Sequence, residues 1–220
     1  MLGVHIIFIS DCNTIISMQS LPQRLEKCSD CSKFKVYCKA LKFQPKGCIN
    51  FKAYDYLKLG KVRNLFIAEA PPPVEPRYFY NNDIPAGTLR RGLFKELGIN
   101  DYTKKGLETF CEQNFLTDTI KCRLQKGETG QVPREIISNC ISRFLKEEIE
   151  CVKPKNIVLL GDTARRGLGK LEEFSELNEL RVKRDCGKIQ YIKSYRVILY
   201  VYPITRNINA MKEHPLAELL

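Results

Sequence analysis

Short apolar segments alternate with helical segments along most of this 220-residue chain. Four apolar segments have the length and composition of buried strands, and they occupy residues 64–69, 115–120, 156–160 and 196–202. Apolar residues recur at helical spacing over 89–97 and 136–149, and short helices are expected after Gly161 and Thr205. Strands that alternate with helices form a parallel sheet covered on both faces. The sequence therefore predicts a three-layer α/β/α sandwich around a central, mostly parallel sheet of four strands.

The residues that directly follow the predicted strands are the first candidates for a functional site. In sheets of this kind, ligands bind at the carboxyl ends of the strands. Those ends are residues 69–73, 118–123, 161–163 and 202–206. Because the carboxyl ends of parallel strands meet at one edge of the sheet, we expect Glu69, Asp118 and Tyr202 to lie near one another.

The alternating pattern occupies residues 63–220, which we predict to be an α/β/α domain. Residues 1–27 form a poorly specified lead-in, and residues 28–62 form a basic arm that carries cysteines. Between Cys31 and Tyr54 the chain has six lysines and no acid, with aromatic residues among the lysines. Such a segment is either a solvated irregular arm or a surface that binds phosphates and stacks on bases. We expect residues 28–220 to form one structural unit.

The balance of charge favours an anionic partner. Lys and Arg number 36 against 25 Asp and Glu, which gives a net charge of +11 and a pI of about 9.2. Such a surface suits nucleic acid, although a protein can also be basic without binding it. The 44% content of hydrophobic residues excludes a disordered chain, a collagen and a coiled coil.

No membrane or targeting segment is expected in the sequence. No window of about 18 residues is free of polar interruptions, and the first residues lack a positively charged region and a cleavage site. We therefore expect no membrane partner and a monomeric cytoplasmic protein, nucleoid-associated if its source is a prokaryote.

Ten cysteines are many for an intracellular chain of this size, and they suggest metal or redox chemistry. Cys28 and Cys31 form a CxxC pair whose thiolates can reach one ion or cluster. Four other cysteines are candidates to complete a site: Cys38, Cys48, Cys122 and Cys140. The first two would complete a local zinc knuckle, whereas the last two would complete a long-range [4Fe–4S] cluster. Buried free thiols are the remaining interpretation.

Six short motifs occur in a fixed order along the chain. They are Cys28-x-x-Cys31, AEAPP at 68–72, AG at 86–87, TDTIKCR at 117–123, KP at 153–154 leading to LGDTA at 160–164, and YP at 202–203. Their order and spacing over about residues 28–206 resembles the uracil-DNA glycosylase superfamily, most closely its iron–sulfur (family 4) branch. The resemblance implies a [4Fe–4S] cluster held by Cys28, Cys31, Cys122 and Cys140, with zinc as the lesser possibility.

The resemblance also implies roles for residues at two strand ends. Glu69 corresponds to a carboxylate that holds the attacking water and offsets the positive charge of the sugar as the base departs. A solvated or helix-capping Glu69 is the alternative. Tyr202 stands where the family has a histidine that stabilises the leaving base, and a phenol can still donate a hydrogen bond there. His214 precedes a proline after a helix, so we expect it to be structural.

Asp118 is the main departure from the family pattern. It stands where the family has an asparagine that accepts from N3–H of uracil and donates to O4. An ionised carboxylate only accepts, so Asp118 would prefer a base edge with two adjacent donors, such as a guanine-like N–H and NH₂. Alternatively, a raised pKa keeps Asp118 protonated and able to donate, or Asp118 no longer binds a base.

Other residues are candidates for contacts with DNA or with the extruded base. The first loop of the family supplies an aromatic that stacks on the base, and Phe79 and Tyr80 are the candidates here. Base flipping also needs a wedge and phosphate contacts on both sides. The candidates for these contacts follow two of the predicted strands: Lys121, Arg123, Arg206 and Asn207. A solvated basic face is the alternative.

Three functions remain open from the sequence. The first is a divergent DNA glycosylase, a hydrolase that flips a modified base from DNA and hydrolyses its N-glycosidic bond, with uracil not required as the substrate. The second is a catalytically inactive iron–sulfur module of the same fold that binds single- or double-stranded DNA, or RNA. The third is a cysteine-rich protein whose metal is only structural and whose ligand is a nucleotide.

Overall fold

A five-stranded sheet forms the centre of the computed structural model, which describes residues 21, 23–25, 27–28, 42–43, 49–72, 78–82, 87–122, 124–125 and 134–220. The strands of the described chain are β1 (Lys42–Phe43), β2 (Asn64–Ala68), β3 (Asn114–Asp118), β4 (Leu124–Gln125), β5 (Asn156–Leu160), β6 (Ile189–Ile192) and β7 (Tyr195–Tyr200). The large sheet has the order β3-β2-β5-β7-β6, and β1 pairs with β4 in a separate two-stranded sheet.

The four predicted strands are confirmed, and they are parallel to one another. β2 lies between β3 and β5, and β5 also pairs with β7. The fifth strand, β6, is antiparallel to β7 and was not predicted. Its burial is incomplete, so its residues lack the continuous apolar pattern of the four central strands. The hairpin between the two strands turns at Lys193, which has a positive φ of 52°.

A row of polar side chains joins the amino ends of the four parallel strands. Asn64 Nδ2 donates to Asn114 Oδ1 at 2.8 Å, and Asn156 Nδ2 donates to Asn64 Oδ1 at 2.7 Å. Arg196 Nη1 then donates to Asn156 Oδ1 at 3.2 Å. These four residues open their strands or lie beside the opening residue, and the ladder pairs Asn64 with both Asn114 and Asn156. The row therefore fixes the common register of the sheet.

The helices fall mainly in the intervals that the sequence assigns to them. They are α1 (Thr88–Glu96), α2 (Lys104–Phe110), α3 (Arg134–Cys140), α4 (Lys146–Val152), α5 (Asp162–Leu168), α6 (Ile208–Glu213) and α7 (Leu216–Leu219). A π-helical segment, Ile141–Leu145, joins α3 to α4. Three 3₁₀ segments accompany them, at Ile49–Tyr56, Glu172–Glu179 and Thr205–Asn207. The short α2 and the segment Glu172–Glu179 were not predicted.

Burial of the strands explains the need for helices on both faces. All five residues of β5 are buried, and β2 and β3 are each buried except at their first residue. A strand with both faces buried must be covered on each side, which agrees with the predicted α/β/α arrangement. On one side, Phe66, Phe79, Phe94 and Phe110 form a cluster of aromatic rings with centroids 5.2 to 6.0 Å apart.

Helix α1 approaches the chain after β7 very closely. A Cβ added at Gly92 would lie 1.9 Å from the carbonyl oxygen of Pro203, so only glycine fits there. This contact fixes the position of Tyr202, the residue before Pro203, relative to α1.

Leu21 and Leu25, from the lead-in and its boundary with the arm, are buried against Phe144 of the π-helical segment. No helix in the described ranges is long and apolar enough to cross a lipid bilayer.

Candidate active site

Hydrogen bonds beyond the last ladder pairs hold the carboxyl ends of the strands together. The backbone N–H of Thr119 donates to the carbonyl of Ala68 at 2.8 Å, and that of Ile120 donates to the carbonyl of Glu69 at 3.0 Å. The N–H of Gly161 donates to the carbonyl of Tyr200 at 2.9 Å. Glu69 directly follows β2 and Asp118 ends the adjacent β3, so both lie at one edge of the sheet.

A cavity of about 210 Å³ opens at this edge. Its lining includes residues of β3, α1, the first loop and the segment after β7: Asp118, Arg90, Thr88, Pro71, Phe79 and Tyr202. Its volume is below the range of about 300–1,000 Å³ that is typical of sites for drug-sized ligands. The cavity is therefore of a size for a small ligand such as a nucleobase, and we call it the base pocket.

Glu69 is held beside the base pocket by Thr163. The Oγ1 of Thr163 donates to Oε2 of Glu69 at 2.5 Å. Thr163 is buried in the first turn of α5, directly after Gly161, whose φ of 95° turns the chain from β5 into the helix. The sequence analysis placed Thr163 among the strand-end residues, three residues after a buried strand, but gave it no role.

Tyr202 is half-buried at the base pocket and remains a neutral phenol. Burial raises the pKa of Tyr202 most, and the negative charges of Asp118 and then Glu69 raise the pKa further. These two carboxylates therefore lie close enough to the phenol to act on it. Because its pKa is raised, Tyr202 keeps its proton at neutral pH and can donate a hydrogen bond there.

Asp118 ends β3 and is only 3% exposed. Of the two aromatic candidates, Phe79 lines the base pocket, with its edge packed against Phe94 and Phe110. The prediction that Tyr80 binds the base is wrong. Its hydroxyl donates to the carbonyl of Leu116 and accepts from the N–H of the same residue, both at 2.8 Å, so Tyr80 is held in the core.

Arg90 is a further member of the base pocket that the sequence did not identify. It lies on α1 with only 2% of its surface exposed. Its Nη1 donates to the carbonyl of Phe79 at 3.2 Å and to Oδ1 of Asn82 at 3.1 Å. Its Nε is buried and has no hydrogen-bond partner among the residues that the structure describes. Burial lowers the pKa of Arg90, but a guanidinium stays protonated in proteins.

Lys121 does not lie at a DNA-facing surface, and the prediction of a phosphate contact is wrong. Its side chain is 0% exposed, and its Nζ lies 2.6 Å from Oε2 of Glu148, which is equally buried. Lys121 Nζ also donates to Oγ1 of Thr117 at 2.7 Å, and Tyr54 donates through its hydroxyl to Glu148. The lysine charge is thus used to join β3, α4 and the segment that carries Tyr54.

The other predicted DNA contacts have different positions. Arg206 is exposed in the 3₁₀ turn after β7. Asn207 donates from Nδ2 to the carbonyl of Tyr202 at 2.7 Å, so it stabilises the turn that positions the phenol. Arg123 lies outside the described residues. His214 packs against Gly187 and does not line the base pocket.

Two larger grooves carry cationic residues. One, of about 590 Å³, follows α5 and is lined by Arg134, Arg166, Lys170 and Arg181, with Asp162 paired to Arg166 at 3.2 Å. The other, of about 730 Å³, lies between α1 and the chain after β7, and it shares Thr88 with the base pocket. Its cationic residues are Arg91, Lys95 and Lys212.

Three of the four predicted cluster ligands fall within the described chain. Cys28 and Cys122 both pack against Leu21, Leu25 and Phe144. Burial raises the pKa of Cys28, as do the neighbouring Cys122 and Cys140, whereas Arg143 lowers it. Cys31 lies outside the described residues, as do Cys38 and Cys48. Within the ranges given above, no three Cys, His, Asp or Glu side chains converge on a position for one metal ion.

The fold and the site together define an α/β protein with a small cavity at the carboxyl edge of a parallel sheet. The model of the uracil DNA glycosylase superfamily matches residues 54–219, and the chain therefore belongs to this superfamily. It is also similar to the type-5 uracil-DNA glycosylase of Pyrobaculum aerophilum, with 28% identity over 148 residues. That match covers 64% of this chain and 60% of the relative, so the chain spans less than two thirds of the relative's length.

Proposed function

We propose that this protein is a DNA glycosylase that extrudes a modified base into the base pocket and hydrolyses its N-glycosidic bond. The observation that carries the proposal is the convergence of Glu69, Asp118 and the neutral phenol of Tyr202 at one sheet edge beside a cavity of nucleobase size. Hydrolysis of a glycosidic bond needs a carboxylate near the sugar and a hydrogen-bond donor near the base, because positive charge develops on the sugar while negative charge develops on the base.

In the proposed reaction, the bond between C1′ of the sugar and the ring nitrogen of the base breaks, and its electron pair leaves with the base. Glu69 stabilises the cationic sugar and accepts a hydrogen bond from the water that attacks C1′. The water oxygen forms the new bond to C1′, and its proton passes to Glu69 or to solvent. Tyr202 donates a hydrogen bond to the departing base, which finally takes up a proton from solvent.

The proposed partner is DNA, bound as a strand that crosses the base pocket between the two basic grooves. Support comes from the cationic residues of the two grooves, which include Arg166 and Lys170 in one and Arg91 and Lys95 in the other. Arg206 lies on the turn after β7 and is the proposed wedge. We also propose that the protein binds DNA as a monomer in the cell interior. RNA is the alternative partner, and binding assays compare its affinity with that of DNA.

We further propose a [4Fe–4S] cluster held by Cys28, Cys31, Cys122 and Cys140. Support comes from the packing of Cys28 and Cys122 on one apolar patch and from the all-thiol character of the donor set. When bound, the cluster supplies a structural cross-link between the arm and the domain. Iron and sulfide assays on anaerobic protein test this, with Cys122→Ala expected to lose both and Cys186→Ala, at a buried cysteine of the main core, as the matched control. Zinc that survives Cys122→Ala would contradict the proposal.

The glycosylase itself is tested by single-turnover assays on oligonucleotides that each carry one modified base. The wild type should generate an abasic site that is cleaved by alkali, and Glu69→Gln should abolish this while DNA affinity is retained. A catalytically inactive binding module is the second candidate, favoured by the substitution of Asp118 and Tyr202 for the family residues. In that case the wild type would bind DNA but release no base, and Glu69→Gln would bind equally well.

A further inference from the structure

We propose that the base pocket selects a damaged purine with the donor pattern of guanine, in which N1–H and the 2-amino group lie side by side. This inference rests on the proposed glycosylase function and specifies its substrate. The pocket residues that determine it are Asp118, Arg90 and Tyr202.

Asp118 supplies acceptors at the end of β3. It is nearly inaccessible to solvent, and its charge acts on the phenol of Tyr202 inside the pocket. Both oxygens of an ionised carboxylate accept hydrogen bonds and neither donates. Guanine offers a donor to each oxygen, through N1–H and the 2-amino group. Uracil offers one donor, N3–H, between two carbonyl oxygens, so a carbonyl would face the second carboxylate oxygen and be repelled.

Arg90 supplies the complementary donor on the wall formed by α1. Its guanidinium keeps its positive charge, is fixed through Nη1 to Phe79 and Asn82, and has an Nε without a partner among the described residues. A guanidinium only donates hydrogen bonds, and O6 is an acceptor in both guanine and 8-oxoguanine. Guanine places O6 next to N1–H, so its edge presents two donors followed by an acceptor. A pocket with a carboxylate and a guanidinium matches that sequence of groups.

The two charges also exclude other bases. Hypoxanthine retains N1–H and O6 but lacks the 2-amino group, so it donates one hydrogen bond fewer to Asp118. Adenine has an acceptor at N1, directly opposite the carboxylate. A hydrogen bond to a charged group contributes more than an apolar contact, so this arrangement discriminates more strongly than a pocket of apolar contacts.

The test compares three lesions in otherwise identical oligonucleotides: 8-oxoguanine, hypoxanthine and uracil. We expect 8-oxoguanine to be released at least about tenfold faster than hypoxanthine, and hypoxanthine faster than uracil. Asp118→Asn restores a donor beside an acceptor, so it should raise the uracil to 8-oxoguanine ratio by at least about tenfold. Arg90→Lys should lower release of 8-oxoguanine, whereas Arg63→Lys, at an exposed arginine directly before β2 and at the opposite end of the sheet, should not.

A second measurement separates this inference from the proposed function. The affinities of Glu69→Gln for the three oligonucleotides report selection of the base without chemistry. Preferential binding of the 8-oxoguanine strand with no release by the wild type supports the inference and overturns the glycosylase. Release of uracil at least as fast as 8-oxoguanine, with a ratio unchanged in Asp118→Asn, overturns the inference and leaves the glycosylase standing. If the wild type releases no base and Glu69→Gln shows no binding preference, both the inference and the proposed function are overturned.

Discussion

Replacement of Lys121 by methionine should cost about 3–5 kcal/mol of unfolding free energy, since it leaves the buried carboxylate of Glu148 without its counter-charge. The structure supports the upper part of this range. Both side chains are inaccessible to solvent, and the remaining partners of Glu148 are the hydroxyls of Thr117 and Tyr54. Burial and the charge of Glu148 raise the pKa of Tyr54, so this phenol stays neutral and cannot replace the lysine charge.

The loss is large relative to the total stability of a domain, which is about 5–15 kcal/mol. For a chain of this size, each kcal/mol shifts Tm by about 2–4 °C, so Lys121→Met should lower Tm by about 6–20 °C. Thermal and urea unfolding with the same protein preparation measure both quantities. The double variant Lys121→Met/Glu148→Met removes both charges and should recover much of the loss, because buried ion pairs can often be replaced by apolar residues.

Lys104→Met is the matched control for Lys121→Met. Lys104 is exposed and 3.8 Å from Glu108, so its loss should change stability by less than about 0.5 kcal/mol. A phosphate contact at Lys121 predicts the opposite pattern. In that case Lys121→Met would leave stability nearly unchanged. It would also reduce the slope of log DNA affinity against log salt concentration by about one. That pair of results would refute the assignment of Lys121 to a buried structural network.

Three further outcomes are expected. Thr163→Val removes the hydrogen bond to Glu69 and should slow single-turnover base release by about 10- to 100-fold with little change in KM, whereas Thr163→Ser should restore the rate. Because the pKa of Tyr202 is raised above its ordinary value near 10, base release should not decline between about pH 8 and pH 10, and a fall centred below pH 9 would contradict a neutral phenol donor. Above pH 10 the unfolded tyrosine ionises first, so stability should fall as the pH rises, which urea titrations at each pH can follow. Gly92→Ala forces α1 away from Pro203 and should impair base release along with stability, while Gly98→Ala, which has open space but a positive φ of 69°, should affect stability alone.

The central architecture could be predicted because its strands are buried on both faces. Residues 156–160 form a continuous apolar run that only a covered strand explains, and β5 is indeed buried throughout. β6 was not predicted because most of its residues are only partly buried or exposed and basic residues flank it in the sequence. Apolar periodicity reports burial, so an edge strand with an open face leaves little signal.

The site was predicted less completely than the fold, and the reasons are physical. Strand ends located Glu69, Asp118 and Tyr202, since topology alone brings these positions together. Sequence could not separate a buried lysine from a DNA-binding one, because the burial of Lys121 depends on Glu148, 27 residues further along the chain. Arg90 was missed for the same reason, since its partners lie on a loop rather than on its own helix.

The row of amide side chains at the opposite end of the sheet fixes the relative positions of the residues at the candidate active site. Asn64, Asn114 and Asn156 start three strands on one line, and each of those strands is five residues long, so they also finish on one line. Five residues of strand span about 16 Å, and a slip by one residue would turn every side chain to the other face. The asparagines at the amino ends of the strands thus set the register of Glu69 and Asp118 and the face of the sheet on which their side chains lie. These asparagines are far from the base pocket. Loss of the hydrogen bonds between these asparagines should therefore make the distance between the two carboxylates less well defined, although no catalytic group is altered.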